Sequence, residues 1–159
     1  MKGNSRILSA LNALLADELA ARDQYFVHSR MLEEWGFPRL ATRIAHEVED
    51  ETEHASTLIK RILFLEGSPK MLPSRIAVGT DVPSILRADL EVEYKVIGTL
   101  RKAIALCEKE ADYVTRDKLL SMLDDTEQDH AHWLEQQLRL IELMGLPNYL
   151  QCQAQREAS

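Results

Sequence analysis

Two stretches decide the fold: Ile44-Ala45-His46-Glu47-Val48-Glu49-Asp50-Glu51-Thr52-Glu53-His54-Ala55-Ser56-Thr57-Leu58, and Leu123-Asp124-Asp125-Thr126-Glu127-Gln128-Asp129-His130-Ala131-His132-Trp133-Leu134. Each sets a Glu-x-x-His motif into an apolar helical stripe. In the first, Ile44, Val48, Ala55, Leu58, Ile62 and Leu65 recur at helical spacing and Glu51 falls in line with them. In the second, Leu120, Leu123, Ala131, Leu134, Leu138 and Ile141 form the stripe and Glu127 falls in line. On an α-helix, residues i and i+3 share a face, so each motif can offer a carboxylate and an imidazole to one ion.

Two further stripes carry a single glutamate each. Glu18 sits among Leu8, Leu11, Leu15, Ala21 and Tyr25, with Arg22 at the stripe's edge. Glu93 sits among Leu86, Leu90, Ile97, Leu100 and Ile104. A lone Glu precedes an ExxH by 51 − 18 = 33 residues in the first half and by 127 − 93 = 34 in the second. The halves thus supply equivalent half-sites. Burying one carboxylate is costly unless it is paired or ligates a metal, and four together repel or hold protons. A pair of divalent cations removes the difficulty. One Glu from each of two helices plus an ExxH from each of the other two is a di-iron carboxylate pattern. Carboxylate oxygen with some imidazole suits iron or manganese better than a thiolate-preferring metal.

The breakers place the helix ends. Helices are expected from about Ser5 to Trp35, Arg39 to Glu66, Ser84 (as N-cap) to Asp112, and Thr115 to Met144, with a short last helix from Asn148 to about Gln155. Between Gly67 and Pro83 lies a stretch with no helical period. A helix of about 28 residues is roughly 42 Å long, and roughly 15 extended residues can cover that length. The expectation is all-α: a single domain over 1–159, a four-helix bundle of ferritin-like layout with one long crossover and a short fifth helix.

Composition narrows the function classes. The net charge of -7 disfavours nucleic acid, which wants a basic stripe. Cys107 and Cys152 form no CxxC, so reduced thiols in a cytoplasm are expected. The N-terminus has no apolar export core and no run of eighteen apolar residues follows, so no export or membrane segment is expected.

Several motifs in order resemble the bacterioferritin branch of the ferritin superfamily: Glu18-Leu19, Asp23 to Phe26, His28 to Met31, Trp35-Gly36, Glu51 to His54, Arg61 to Gly67, and Asn148 to Gln151. The resemblance covers nearly the whole chain. It implies a hollow shell of twenty-four subunits that oxidises Fe(II) at an intrasubunit di-iron ferroxidase centre and stores the ferric mineral inside. Carried over by position, Glu18, Glu51, His54, Glu93, Glu127 and His130 match the ligands. Glu51 and Glu127 would bridge, Glu18 and His54 would complete one iron, and Glu93 and His130 the other. Haem-binding members carry a methionine directly after the first ExxH glutamate; here that residue is Thr52. A hydroxyl is a poor ligand for haem iron, so haem b is not expected on this subunit. The shell is then homomeric or mixed with a haem-type subunit, with a ferredoxin-type reductant for iron release. The rival within the fold is a di-iron oxidase or peroxidase that stores nothing.

Other residues carry weaker expectations. Tyr25 packs in the core or hydrogen-bonds near the centre. His46, Glu47 and Asp50 form either an iron relay or a solvated acidic face. Met31, His28 and His132 belong to the surface or an interface.

Overall fold

A computed structural model describes residues 1–155; the last residues of the expected 1–159 domain lie outside the described residues. The order is α1 (Ser5–Glu34), α2 (Pro38–Phe64), α3 (Val82–Lys109), α4 (Tyr113–Asp125), a π segment (Thr126–Ala131), α5 (His132–Met144) and α6 (Leu146–Gln153), with no strand among the described residues. α4, the π segment and α5 form one continuous rod. The expected bundle, crossover and short last helix are all present.

Local chemistry starts and stops each rod. The Asn4 side chain accepts from Arg6 N at 2.8 Å and caps α1. Gly36, at φ 85, takes the left-handed turn into α2, which Pro38 opens. Ser84 was expected to cap α3; the cap is Asp81 instead. Its carboxylate accepts from Ser84 N at 2.8 Å while Ser84 Oγ accepts from Asp81 N at 3.0 Å, a reciprocal capping box. The third helix ends at Lys109, short of the expected Asp112, because Asp112 caps α4: it accepts from Thr115 N at 3.1 Å.

The crossover runs beside α1 in the same direction. Lys70 N donates to Asn12 Oδ1 at 2.7 Å, Ser74 N to Ala16 O at 2.9 Å, Ala77 N to Gln24 Oε1 at 2.8 Å and Gly79 N to His28 Nε2 at 3.0 Å. From Asn12 to His28 these anchors span about 24 Å of helix. Gly79 is required by close approach: a Cβ there would lie 2.5 Å from Ile85 N.

The core divides into two apolar clusters. One, toward the start of α1, contains Ile7, Leu11, Leu15, Leu58, Leu100 and Met122; the other, toward the α1–α2 turn, contains Tyr25, Ile44, Ile85, Leu86, Leu134 and Tyr149. A polar layer lies between them. The fourth stripe needs correction. Leu120 is exposed and Leu123 only partly buried, while Leu119, Met122 and Thr126 face inward. Beyond the π segment Ala131 and Leu134 are buried as expected. The wider π turn holds one more residue than an α turn, so the inward face is displaced by one residue on its N-terminal side.

Asp112 ties the ends of three helices: Arg61 Nη2 donates to it at 2.9 Å and Thr115 Oγ1 at 2.6 Å. Burial pulls its carboxyl up, and the bonds from Thr115 and Arg61 more than offset this, holding it below the ordinary carboxylate value. Asp112→Ala is expected to cost about 1–3 kcal/mol at neutral pH. Because the folded value is depressed, the contribution is full above the ordinary carboxylate value and disappears as pH falls through the folded one. Thermal denaturation of parent and variant checks this: the difference must narrow only in strong acid.

Candidate metal centre

The polar layer is built from the middle of the long helices. α1 supplies Glu18, α2 Glu51 and His54, α3 Glu93 and the π segment His130, all buried. Two groups of three have ligand atoms within 4.8 Å of one another: Glu18, Glu51 and His54, and Glu51, Glu93 and His130. Glu51 belongs to both. His54 Nδ1 lies 3.3 Å from Glu51 Oε2 and 3.7 Å from Glu18 Oε2. His130 Nδ1 lies 3.0 Å from Glu51 Oε1 and 3.5 Å from Glu93 Oε1. The two imidazole rings stack with centroids 5.9 Å apart.

Glu127 is not brought into this layer. Its side chain is 37% exposed and meets Arg101 Nη2 at 2.6 Å. Thr126 occupies the inward position, its Oγ1 donating to Met122 O at 2.8 Å. The reason is the π segment: with more residues per turn, positions i and i+3 diverge around the axis. His130 therefore lies on the inward face while Glu127 lies at its edge, where its carboxylate meets Arg101. The α-helical geometry expected of the second ExxH holds only for the first. Asp125 instead reaches the layer's edge, 3.0 Å from His54 Nε2.

The electrostatics suit cations. Burial, with the charge of Glu51 beside it, pushes the Glu18 carboxyl well up. Glu51 is also desolvated, yet contacts with Glu18, His130 and His54 hold it far below the ordinary value. Burial pushes Glu93 up, with His130 and Tyr25 working against it. Desolvation disfavours charge on both histidines, but the carboxylates outweigh it: Glu18 and Glu51 push His54 up to about 11, and Glu51 and Glu93 push His130 up to about 11. Both Glu18 oxygens, Glu51 Oε2, Glu93 Oε2, His54 Nδ1 and both His130 nitrogens are buried without a hydrogen-bond partner. Such orphaned ligand atoms fit a pair of metal ions.

The neighbouring expectations resolve variously. Tyr25 is both core and donor: it is buried and its hydroxyl donates to Glu93. Burial and the charges of Glu93, Asp89 and Glu51 hold that hydroxyl protonated, its value pushed well up. His46 is exposed, but Glu47 is buried and so is no part of a solvated face. Glu47 Oε2 lies 2.8 Å from His130 Nε2. Glu47, Asp50, Asp129 and His130 form a third close group of potential ligands on the other side of the imidazole. Met31 is partly buried against the core cluster near the α1–α2 turn, and His132 is exposed. His28, expected at the surface or an interface, is fully buried. It accepts from Gly79 N, so Nδ1 carries the proton that it donates to Asp89 Oδ1 at 2.7 Å. Gln24 Nε2 donates to the same oxygen at 2.8 Å. Asp89 was overlooked, although its place on the stripe between Leu86 and Glu93 is the signal that picked out the glutamates.

Residues 8–144 match the ferritin-like domain family. A bacterial ferritin of Neisseria meningitidis serogroup B is 57% identical over 153 residues, 96% of this chain and 99% of the relative. One of Pseudomonas aeruginosa is 58% identical over 153 residues, with the same coverage of 96% and 99%. A bacterioferritin of Brucella melitensis is 37% identical over 155 residues, 97% and 96% of the two chains.

Metal ligation needs neutral imidazole and ionised carboxylate, so cations must displace the protons now held there. Zinc affinity is expected to rise with pH across the neutral range, with roughly one proton or more released per ion. Calorimetric titration in buffers of different ionisation enthalpy measures this; heats identical in every buffer would contradict the assignment.

Proposed function

This chain belongs to the bacterioferritin-type family of the ferritin superfamily, a family of iron-storage proteins, and on that premise we propose that it oxidises Fe(II) at a di-iron centre and deposits the ferric product inside a shell of twenty-four subunits. The observation that carries this reading is the pair of ligand groups sharing Glu51, with their orphaned buried oxygens and nitrogens. Two Fe(II) held side by side supply two electrons together to O2 or hydrogen peroxide, which avoids one-electron oxygen radicals.

The protein's part is placement and charge. Glu51, common to both groups, would be shared by the two ions; Glu18 and His54 would hold one, and Glu93 and His130 the other. Glu127 would join them on turning inward from Arg101. Tyr25 fixes Glu93 by its hydrogen bond. The apolar clusters flank the layer on two sides, while a cavity of about 760 Å³ lined by Glu53, His54, Met122 and Asp125 reaches its His54 side. On the far face of His130, Glu47, Asp50 and Asp129 offer the oxidised ion a carboxylate path out of the centre. His46, 3.7 Å from Asp50 Oδ2 and exposed, stands at the end of that path.

Assembly is supported by surface that a lone chain leaves bare. Leu63, Phe64, Met71, Leu72, Ile76 and Val78 are exposed by between 43% and 72%. An apolar band of this kind calls for a cover, here other subunits of the shell. The shell is homomeric or shared with a haem-type subunit, with a ferredoxin-type reductant for release. No helix among the described residues is long and apolar enough to cross a membrane; the proposed location is the cytoplasm. Thr52 is exposed and turns its Oγ1 back to Val48 O at 2.7 Å. This subunit therefore provides no thioether for haem at that position.

Gel filtration with aerobic Fe(II) addition should give a particle of about twenty-four 18.1 kDa chains that retains a soluble ferric core; a monomer-sized species without one would sink the storage reading. Glu51→Ala and Glu127→Ala should each slow rapid iron oxidation by about 100-fold or more in stopped-flow absorbance. After incubation with haem and removal of the unbound fraction by gel filtration, the homomeric protein should carry no Soret absorption, whereas Thr52→Met should retain one.

A further inference from the structure

Glu127 raises a question that the di-iron reading does not answer: what keeps an intended ligand outside the centre. Its carboxylate meets the Arg101 guanidinium at 2.6 Å across the α3–π segment seam. Three groups fill the place it leaves. Thr126 takes the inward position, the His54 and His130 rings close to 5.9 Å, and Asp125 lies 3.0 Å from His54 Nε2.

We propose that Arg101 is a positioning residue that parks Glu127 outside the layer and releases it to the metal pair. This rests on the two-iron reading above. Arg101 touches no other acidic side chain among the described residues, and its own side chain is 65% exposed. The pair is therefore a solvent-exposed one, strong enough to bias a rotamer and too weak to block loading. A bias of this size sets the fraction of chains ready to bind, and apparent affinity scales with that fraction. Arg101 thereby keeps a fourth negative charge out of a layer that already holds Glu18, Glu51 and Glu93. The two-cation state is the one that needs the fourth carboxylate.

Co(II) serves as the test, because its visible absorption reports ligation without iron oxidation. Assembled parent protein and Arg101→Gln, Arg101→Lys and Glu127→Gln variants are titrated at low and high salt. Arg101→Gln should bind Co(II) tighter by roughly two- to five-fold at low salt. The advantage should fade at about 0.5 M salt, where the parent's ion pair is screened. Arg101→Lys, which keeps the charge, should stay close to the parent. In a Glu127→Gln background, Arg101→Gln should add nothing; a gain that persists there is simple charge repulsion and overturns the latch. Equal affinities of parent and Arg101→Gln at low salt also overturn it. Failure of the parent to bind two Co(II) per chain overturns the two-iron reading itself, and the latch with it.

Discussion

Three carboxylates, Glu18, Glu51 and Glu93, lie side by side with no access to water, and much of the molecule is arranged around the way that charge is met. Left alone, such a group repels itself or stays protonated. Here His54 and His130 enter between the acids, whose charge pushes both imidazoles well above their ordinary value. The same nitrogens, once deprotonated, are good ligands for iron. The apolar clusters above and below matter to this layer, since low polarity around it strengthens every charge interaction inside.

The crossover follows from the same arrangement. Presenting α2 and the fourth rod side by side requires the chain to return along the full bundle before α3 begins. It does so strapped to α1 through Asn12, Ala16, Gln24 and His28. His28 and Gln24 are in turn fixed by buried Asp89 on α3. One hydrogen-bonded network therefore connects the crossover, the first helix and the third, and holds α1 and α3 in the relation that brings Glu18 and Glu93 to one layer.

Much of this was legible in the sequence. The first three stripes with their interrupting glutamates, the first ExxH and the length of the crossover each follow from periodicity and breakers. Three things were not. Asp89 and His28 pair across two helices, a contact that no motif or spacing marks. The α3–α4 turn has no glycine to mark it; Ala111 adopts φ 56 in its place. The π segment has no sequence signature of its own, so a strict helical period extended through residues 126–131 sets Glu127 in the middle of the inward face, whereas the structure holds it at the edge of that face beside Arg101. The register could be read to one residue, and one residue is what separates a side chain at the centre from one at the surface.

That single residue has a history written in the numbering. Adding 93 − 18 = 75 carries Glu18 onto Glu93 and Gly36 onto Ala111, and the short turns of the two hairpins coincide. The same shift carries Glu51 onto Thr126, the residue that does face inward. The two halves of the chain thus stay in step until the middle of the last rod, where the second half is one residue longer. A rigid α-helix would pass such an insertion downstream and turn Leu134, Leu138 and Ile141 away from the core. The π turn absorbs it on the spot. The two hairpins thus keep one spacing except at a single point, and that point is the metal layer, where the extra residue gives the second half a different set of inward side chains.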